Sequence, residues 1–326
     1  MPQELEVSNT FETDIDTRNI VLKEACKHYG LDVLGNDRLH KPYPWEYLIA
    51  KHKSANLVWC NVFKSGSSRY ADLMYIVHYI YIFSIFTNIP MIAIQFFILS
   101  SLSWMYIFNR MAGYTASYLE HSKTPPVTLA RKKYPRPSST ELLSILARPN
   151  TIGFLIARNP HERLVSGYRD KILGAIPFSY HDIMCRNIIA RYRGMDPKQY
   201  RAKLTTPPTF TEFVRYILDE EKSGNEVDMH WAPVYSFCNP CQVNLTHIIK
   251  METFQRDTEK ILEGTNLSQY LPTRANERQN ASKGKHNSSV DVTLYLDELP
   301  SDLRKALNDF YQIDFDLFGY LPGEIA

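Results

Sequence analysis

Several signatures are missing from this chain, and each absence removes a class of function. There is no G-x-x-x-x-G-K-[ST] run, so the loop that marks nucleotide-triphosphate enzymes is excluded. An excess of one charge is missing too. Against 37 Lys and Arg stand 35 Asp and Glu, a formal net charge of +2, so no global polycation awaits nucleic acid. Any polyanion must be held by local basic clusters. Cysteine is scarce. Cys26, Cys60, Cys185, Cys238 and Cys241 are too few and too scattered for a disulfide-built scaffold, and their odd number leaves at least one unpaired within the chain. Cys238-Asn-Pro-Cys241 has the spacing of half a zinc site, but no second CxxC or HxxxH accompanies it. Disulfide partners in an oxidising compartment are the better expectation. From Met1 to about Trp45 the chain is polar and lacks an apolar run long enough for a signal peptide or membrane anchor.

What is plentiful is core-forming residues. Hydrophobic residues make up 44% of 326, enough for one large domain. The chain turns on 151–171, TIGFLIARNPHERLVSGYRDK. Ile152 to Ala157 is a short apolar run of the kind that fills a central parallel strand. A helix start follows at once: Asn159 suits the cap, Pro160 the first helical position, and Glu162 the third position of a capping box. Leu164, Val165, Tyr168 and Ile172 then share one face. Arg158 is left at the carboxyl end of a strand, beside a helix N-terminus whose unpaired N–H groups favour an anion, with Ser166 about two turns further on. This is a phosphate site in outline. The competing structural reading makes Arg158, Arg163 and Arg169 solvated charges and Ser166 an ordinary helix serine.

Upstream, Asn56 to Phe63 (NLVWCNVF) reads as a first core strand, followed by the turn Lys64-Ser65-Gly66-Ser67-Ser68. Such a turn can wrap backbone N–H groups round a phosphate while Lys64 neutralises it. Beyond the turn, Leu73 through Asn109 contains no Lys, Arg, Asp or Glu. That is long enough for a bilayer, which takes about 20 apolar residues. Ser138 or Ser139 caps a helix to about Ala147, residues 172–208 are mixed and polar, and Thr209 to Glu220 is an amphipathic helix with Phe210, Phe213, Val214 and Ile217 on one face. Leu245 to Glu252 reads as a strand, Thr253 to Glu263 as a helix, Asn266 to Val290 as a polar loop, and Ser301 to Tyr311 as a capped helix. Asn244, Asn266, Asn280 and Asn287 each begin an N-x-S/T sequon, which favours a secretory-pathway lumen.

The pattern R-x-P-x-x-R-x-x-S-x-x-R-D-K over Arg158 to Lys171 resembles the 3′-phosphate motif of sulfotransferases that use the sulfate donor PAPS, most of all the Golgi carbohydrate sulfotransferases of the chondroitin and HNK-1 group. The resemblance implies that Arg158 and Ser166 contact the 3′-phosphate. Lys64 to Ser68 resembles the same family's 5′-phosphosulfate loop, K-x-G-[ST]-[ST]-x-W, in which the lysine touches the bridging oxygen or 5′-phosphate. Here the tryptophan after Arg69 is missing. Removing the 34 residues Tyr70 to Ser103 restores it as Trp104, in KSGSSRWMYIFNRMAGY. The insert therefore has two readings: a membrane segment inside the donor site, or in-frame translation of AT-rich noncoding sequence. The first would give a catalytically inactive, membrane-associated or glycan-binding relative; the second an active enzyme.

Asn225 to Cys241 (NEVDMHWAPVYSFCNPC) resembles the family's D-x-H-W-x-P segment with its CxPC. A lone histidine beside a tryptophan is commonly a packed core residue, but the likeness makes His230 the candidate general base, with His181 and Glu226 as weaker candidates. Arg131, Lys132, Lys133 and Arg136 lie among prolines, either as a solvated connector or in contact with an acidic sugar chain. Lys283, Lys285 and His286 belong to the polar loop, with solvation the simpler role.

The resemblance covers residues 42–69 and 104–322. It implies a three-layer, P-loop-like α/β domain at 41–322 around a central parallel sheet, preceded by a polar segment at 1–40 and interrupted by the apolar insert 70–103. It further implies sulfuryl transfer from PAPS to a hydroxyl of a glycan, with chondroitin N-acetylgalactosamine the expected acceptor and a Golgi-lumenal location. Lys64 and Arg158 would supply the positive charge without a metal, and no nucleic acid is expected. The family's N-terminal anchor is not seen here, so the expectation is a chain incomplete at its start or bound to membranes by another route. The closing IDFDLFGY resembles the family's C-terminal end.

Overall fold

The computed structural model describes residues 11–65, 104–194, 206–270 and 288–324. Helix α1 (Phe11–His28) leads to strands β1 (Tyr47–Lys51) and β2 (Asn56–Cys60), then to helices α2 (Trp104–Met111), α3 (Ala116–His121), α4 (Pro126–Lys133) and α5 (Ser139–Leu146). Strand β3 (Thr151–Ala157) and α6 (Pro160–Gly167) follow, then a π-helical turn (Tyr168–Leu173) and helices α7 (Tyr180–Arg193), α8 (Phe210–Lys222) and α9 (Val234–Cys238). Strand β4 (His247–Lys250) and helices α10 (Phe254–Gly264), α11 (Ser288–Asp297) and α12 (Ser301–Phe318) complete the order.

The sheet runs β1-β2-β3-β4, with β2, β3 and β4 parallel and β1 antiparallel on the edge. The expected parallel sheet is thus mixed at one margin. Strand periodicity divides the side chains into two cores. Val58, Cys60, Leu155, Ala157 and Ile248 point to one face, against α1, α5, α6, α8 and α12. Leu57, Trp59, Phe154, Ile156 and Ile249 point to the other, against Trp104, Ile107 and Phe108 of α2 and Ile261 of α10. Helices on both faces make the three layers that buried parallel strands require. Trp59 and Phe154 stack with centroids 6.3 Å apart on neighbouring strands, and Trp104 sits 4.4 Å from Phe154. Fully burying one such ring contributes roughly 1.5–3 kcal/mol.

Four stretches differ from the sequence expectations. The polar N-terminal segment contains α1, whose Leu22, Ala25 and Cys26 enter the first core. The polar 172–208 stretch contains α7. There a buried Asp182–Arg186 pair at 3.1 Å occupies the same helix as Met184, Cys185, Ile188 and Ile189, which hides the apolar period. The basic connector is α4, and Arg131 is tied down, donating to the Tyr47 carbonyl at 2.5 Å. The polar 266–290 loop ends in the start of α11. Gly66, Ser67, Ser68, the 70–103 insert, Lys283, Lys285 and His286 lie outside the described residues. Among the described residues no helix is long and apolar enough to cross a membrane.

Two disulfides close long loops: Cys26–Cys241 and Cys60–Cys238. The second joins the end of β2 to the end of α9, so both cysteines of the CxPC are bonded. Cys185 is free and buried, and burial pushes its thiol up to about 12. Unfolded but unreduced protein is expected to consume thiol reagent at Cys185 alone, and native protein to consume none. Cys60→Ser is expected to lower stability by about 2–5 kcal/mol, measured by urea unfolding; five reactive thiols in unreduced protein would contradict the pairing.

Candidate functional site

Two loops meet where parallel strands β2 and β3 end. Asn159 caps α6, its Oδ1 accepting from the backbone N–H groups of His161 at 2.9 Å and Glu162 at 3.4 Å. Pro160 takes the first helical position, and Leu164, Val165, Tyr168 and Ile172 are all buried. The cap stops β3 at Ala157 and leaves Arg158 on the rim. Its Nε donates to Glu162 Oε2 at 3.2 Å, and its NH1 donates to the Lys64 carbonyl at 3.1 Å. One guanidinium therefore links the two predicted phosphate loops. Arg158, Glu162, Ser166, Arg169 and Asp170 line a cavity of about 350 Å³.

Lys64 has φ +67°, a left-handed conformation uncommon for a residue with a side chain and typical of loops held for function. Its ammonium is buried against the Asp170 carboxylate, and Lys171 reaches the same oxygen at 3.0 Å. Burial alone would raise the Asp170 pKa; the charges and hydrogen bonds of Lys64 and Lys171 outweigh it and hold the carboxyl at about 2. Ser65 is fully buried, and its Oγ lacks a hydrogen-bond partner among the described residues. An unpaired buried hydroxyl is costly, and a phosphate oxygen would satisfy it.

Across from these loops lies His230. Its Nδ1 is 2.6 Å from Asp228 Oδ1, which also accepts from the His230 backbone N–H at 2.8 Å. The other Asp228 oxygen lies 3.3 Å from His181 Nε2, contributed by the first turn of α7. Burial would raise the Asp228 pKa, but the adjoining His181 and the hydrogen bonds and charge of His230 take it well below the usual carboxylate range. Burial lowers the His230 pKa, opposed by Asp228 and reinforced by the charges of Lys171 and His181. Phe63, next to Lys64, packs on the His230 ring with centroids 4.7 Å apart. His181, Asp228 and His230 bring donor atoms within 4.8 Å of one another, the one set among the described residues able to hold a metal ion. The His230–Asp228 hydrogen bond uses two of these atoms, while His181 Nε2 is buried without a hydrogen-bond partner among the described residues.

The structure therefore brings Lys64, Ser65, Arg158 and Ser166 to one edge of the sheet, with His230 packed against Phe63 beside it. His181 joins His230; Glu226 instead pairs with Arg38 at 3.2 Å. Arg163, read as a possible solvated charge, is wholly buried. Asp170 and Asp228 stand inside the two quoted motifs but were given no role from the sequence. Their partners come from distant elements, which spacing does not reveal.

Residues 45–321 match the model of the sulfotransferase family. The chain is similar to human carbohydrate sulfotransferase 9, 27% identical over 308 residues, which cover 94% of this chain and 59% of that protein. Over about half of this chain it is similar to zebrafish carbohydrate sulfotransferase 14 (35% over 167 residues, 43% of that protein) and mouse carbohydrate sulfotransferase 11 (31% over 170 residues, 46% of that protein). The chain spans about half the length of the curated relatives it matches. No solved structure matches.

The depressed Asp170 carboxyl sets a pH dependence of stability. A lowered folded pKa gives stabilisation that is complete above the unfolded value, about 3.9, and lost as pH falls towards about 2. Asp170→Asn removes one partner of a buried pair and is expected to cost about 3 kcal/mol at pH 7. Urea unfolding at pH 7, 4 and 2.5 should show the gap between wild type and variant closing as pH falls.

Proposed function

The chain belongs to the sulfotransferase family, and we propose that it transfers a sulfuryl group from PAPS to a hydroxyl of a glycan. The observation that carries this reading is the Arg158 bond to the Lys64 carbonyl, which makes one anion site from the ends of two parallel strands and the N-terminus of α6. In this reading Arg158 and Ser166 hold the 3′-phosphate of the donor. Lys64, Ser65 and the residues 66–68 take the 5′-phosphosulfate. Lysine and arginine supply the positive charge that the leaving phosphate requires.

His230 is the base. With Nδ1–H donated to Asp228, its Nε2 carries the lone pair that accepts the acceptor hydroxyl proton. The acceptor oxygen forms its bond to sulfur in line as the bond from sulfur to the phosphate oxygen breaks. The electron pair leaves on the phosphate of PAP, and the proton stays on His230 beside Asp228. Burial keeps His230 below its ordinary pKa, so the base is neutral at pH 7 and the acid limb of the activity profile should lie below the ordinary histidine range.

The acceptor is assigned to a cleft of about 810 Å³ that includes His230, Phe63, Tyr180, Trp45, Tyr43 and Arg38 in its walls. Arg38 lies 4.2 Å over the Tyr43 ring and Arg136 lies 4.1 Å over the Trp45 ring. Aromatic faces suit sugar rings and the two guanidinium groups suit a uronate, which favours chondroitin N-acetylgalactosamine as acceptor. Glu221, Glu226, Asp228 and Asp309 also line the cleft, and Glu226 pairs with Arg38, so an acidic chain would approach from the Trp45 side, where Arg136 stacks. Two disulfides and the sequons, with Asn244 and Asn266 exposed, support a lumenal location such as the Golgi, with membrane association by the family likeness.

Wild-type protein is expected to bind PAP, measured by thermal shift and calorimetry. Arg158→Ala and Lys64→Ala should each weaken binding by about ten-fold or more, the loss of a charge-assisted bond of roughly 1.5–3 kcal/mol. His230→Ala should keep PAP binding but cut transfer of labelled sulfate from PAPS to desulfated chondroitin by about 10²–10⁴. Absence of PAP binding in wild type would sink the reading. Arg136→Ala should raise KM for chondroitin without changing PAP affinity; an unchanged KM would remove the acidic acceptor.

A further inference from the structure

The second arginine and the glycine of the α6 motif point away from the donor. Arg163 is wholly buried, and its guanidinium donates to three carbonyls of the loop that carries the base: NH1 to Met229 at 3.5 Å and His230 at 3.3 Å, and NH2 to Ala232. Gly167 lies one turn further along the same face. A Cβ built there would stand 3.2 Å from the His230 carbonyl oxygen and 3.5 Å from Trp231 Cε3. Glu162, Ser166 and Arg169, on the neighbouring face, line the cavity with Arg158. One helix thus touches the donor cavity with one face and the backbone of His230 with another.

The rest of the loop is held from α12. Tyr311 Oη donates to the Trp231 carbonyl at 2.5 Å, and Asp314 accepts from the backbone N–H groups of Val234 at 2.6 Å and Tyr235 at 3.0 Å. Asp314 is buried and its carboxylate is the charge that faces Arg163 within this interior.

We infer that Arg163 and Gly167 are positioning residues for His230: through them the helix that grips the donor also sets where the base stands. The inference rests on the sulfotransferase reading above. It makes the stretch Arg163 to Gly167 two-sided, with Ser166 serving the donor and Arg163 and Gly167 serving the base. Donor seating and base placement then share one rigid element, and a shift of α6 moves both together.

Gly167→Ala tests this without threatening the helix, since Gly167 has φ −64° and ψ −46° and alanine is the better helix former. The methyl must displace the His230 carbonyl by a few tenths of an ångström. Misplacing a catalytic group by about 1 Å costs up to about 10²-fold, so kcat should fall about ten-fold while the PAP Kd stays within about two-fold. Arg163→Lys, which keeps the charge but loses the planar fork, should behave in the same direction. The groups facing His230 are Asp228, His181 and Lys171, and moving the ring among them should shift the acid limb of the kcat/KM profile and the His230 imidazole resonances. Unchanged kcat and pH profile in both variants would overturn the inference. So would a loss of PAP affinity in step with kcat, which would assign both residues to the donor. Failure of the parent reading is seen separately, as absent PAP binding in wild type.

Discussion

The parallel pairing of β2 with β3, from Asn56 opposite Thr151 to Cys60 opposite Leu155, is the constraint on which the rest of the site depends. It sets two strand ends side by side, so that the loops leaving them open onto the same edge of the sheet. Residues far apart in the chain become neighbours there, and Arg158 reaches the Lys64 carbonyl. The pairing holds because both strands are buried on both faces, with Trp59 and Phe154 packed on one side and Val58 and Leu155 on the other. A shift of one residue would turn each apolar set to the wrong face.

Electrostatics then ties the loops to the chemistry. Lys64, Asp170 and Lys171 form a run of alternating charge in which the lysine of the first loop is satisfied by the helix after the second. Its far end acts on His230, whose own partner, Asp228, is shared with His181. Such a chain is costly to desolvate, and each carboxylate is held ionised by two cationic or hydrogen-bonding neighbours. The Cys60–Cys238 bond closes the same circuit covalently, joining the strand that leads to Lys64 with the short helix that follows His230.

Much of this was legible in the chain. The strand at Thr151–Ala157, the Asn159 cap and the amphipathic helix beginning at Thr209 follow from local rules, and all three appear as read. Helix α7 did not, because its buried face includes Asp182 and Arg186, which neutralise each other only once the helix has formed. Arg163 looked like solvent-exposed charge for a related reason. Its partners are the carbonyls of Met229, His230 and Ala232, some 66 to 69 positions away, and no local pattern announces a buried arginine paired with backbone.

The sequence by itself determined the elements and the residue types that phosphate and proton chemistry require, since strand period, capping and loop composition act over a few neighbouring residues. Only the tertiary structure decided which of those residues meet. The Asp170 bridge between Lys64 and Lys171, the sharing of Asp228 by His181 and His230, and the pairing of Cys26 with Cys241 each join distant segments. Such contacts exist because the sheet and its helices exclude water from one common interior, and charges placed there must find one another.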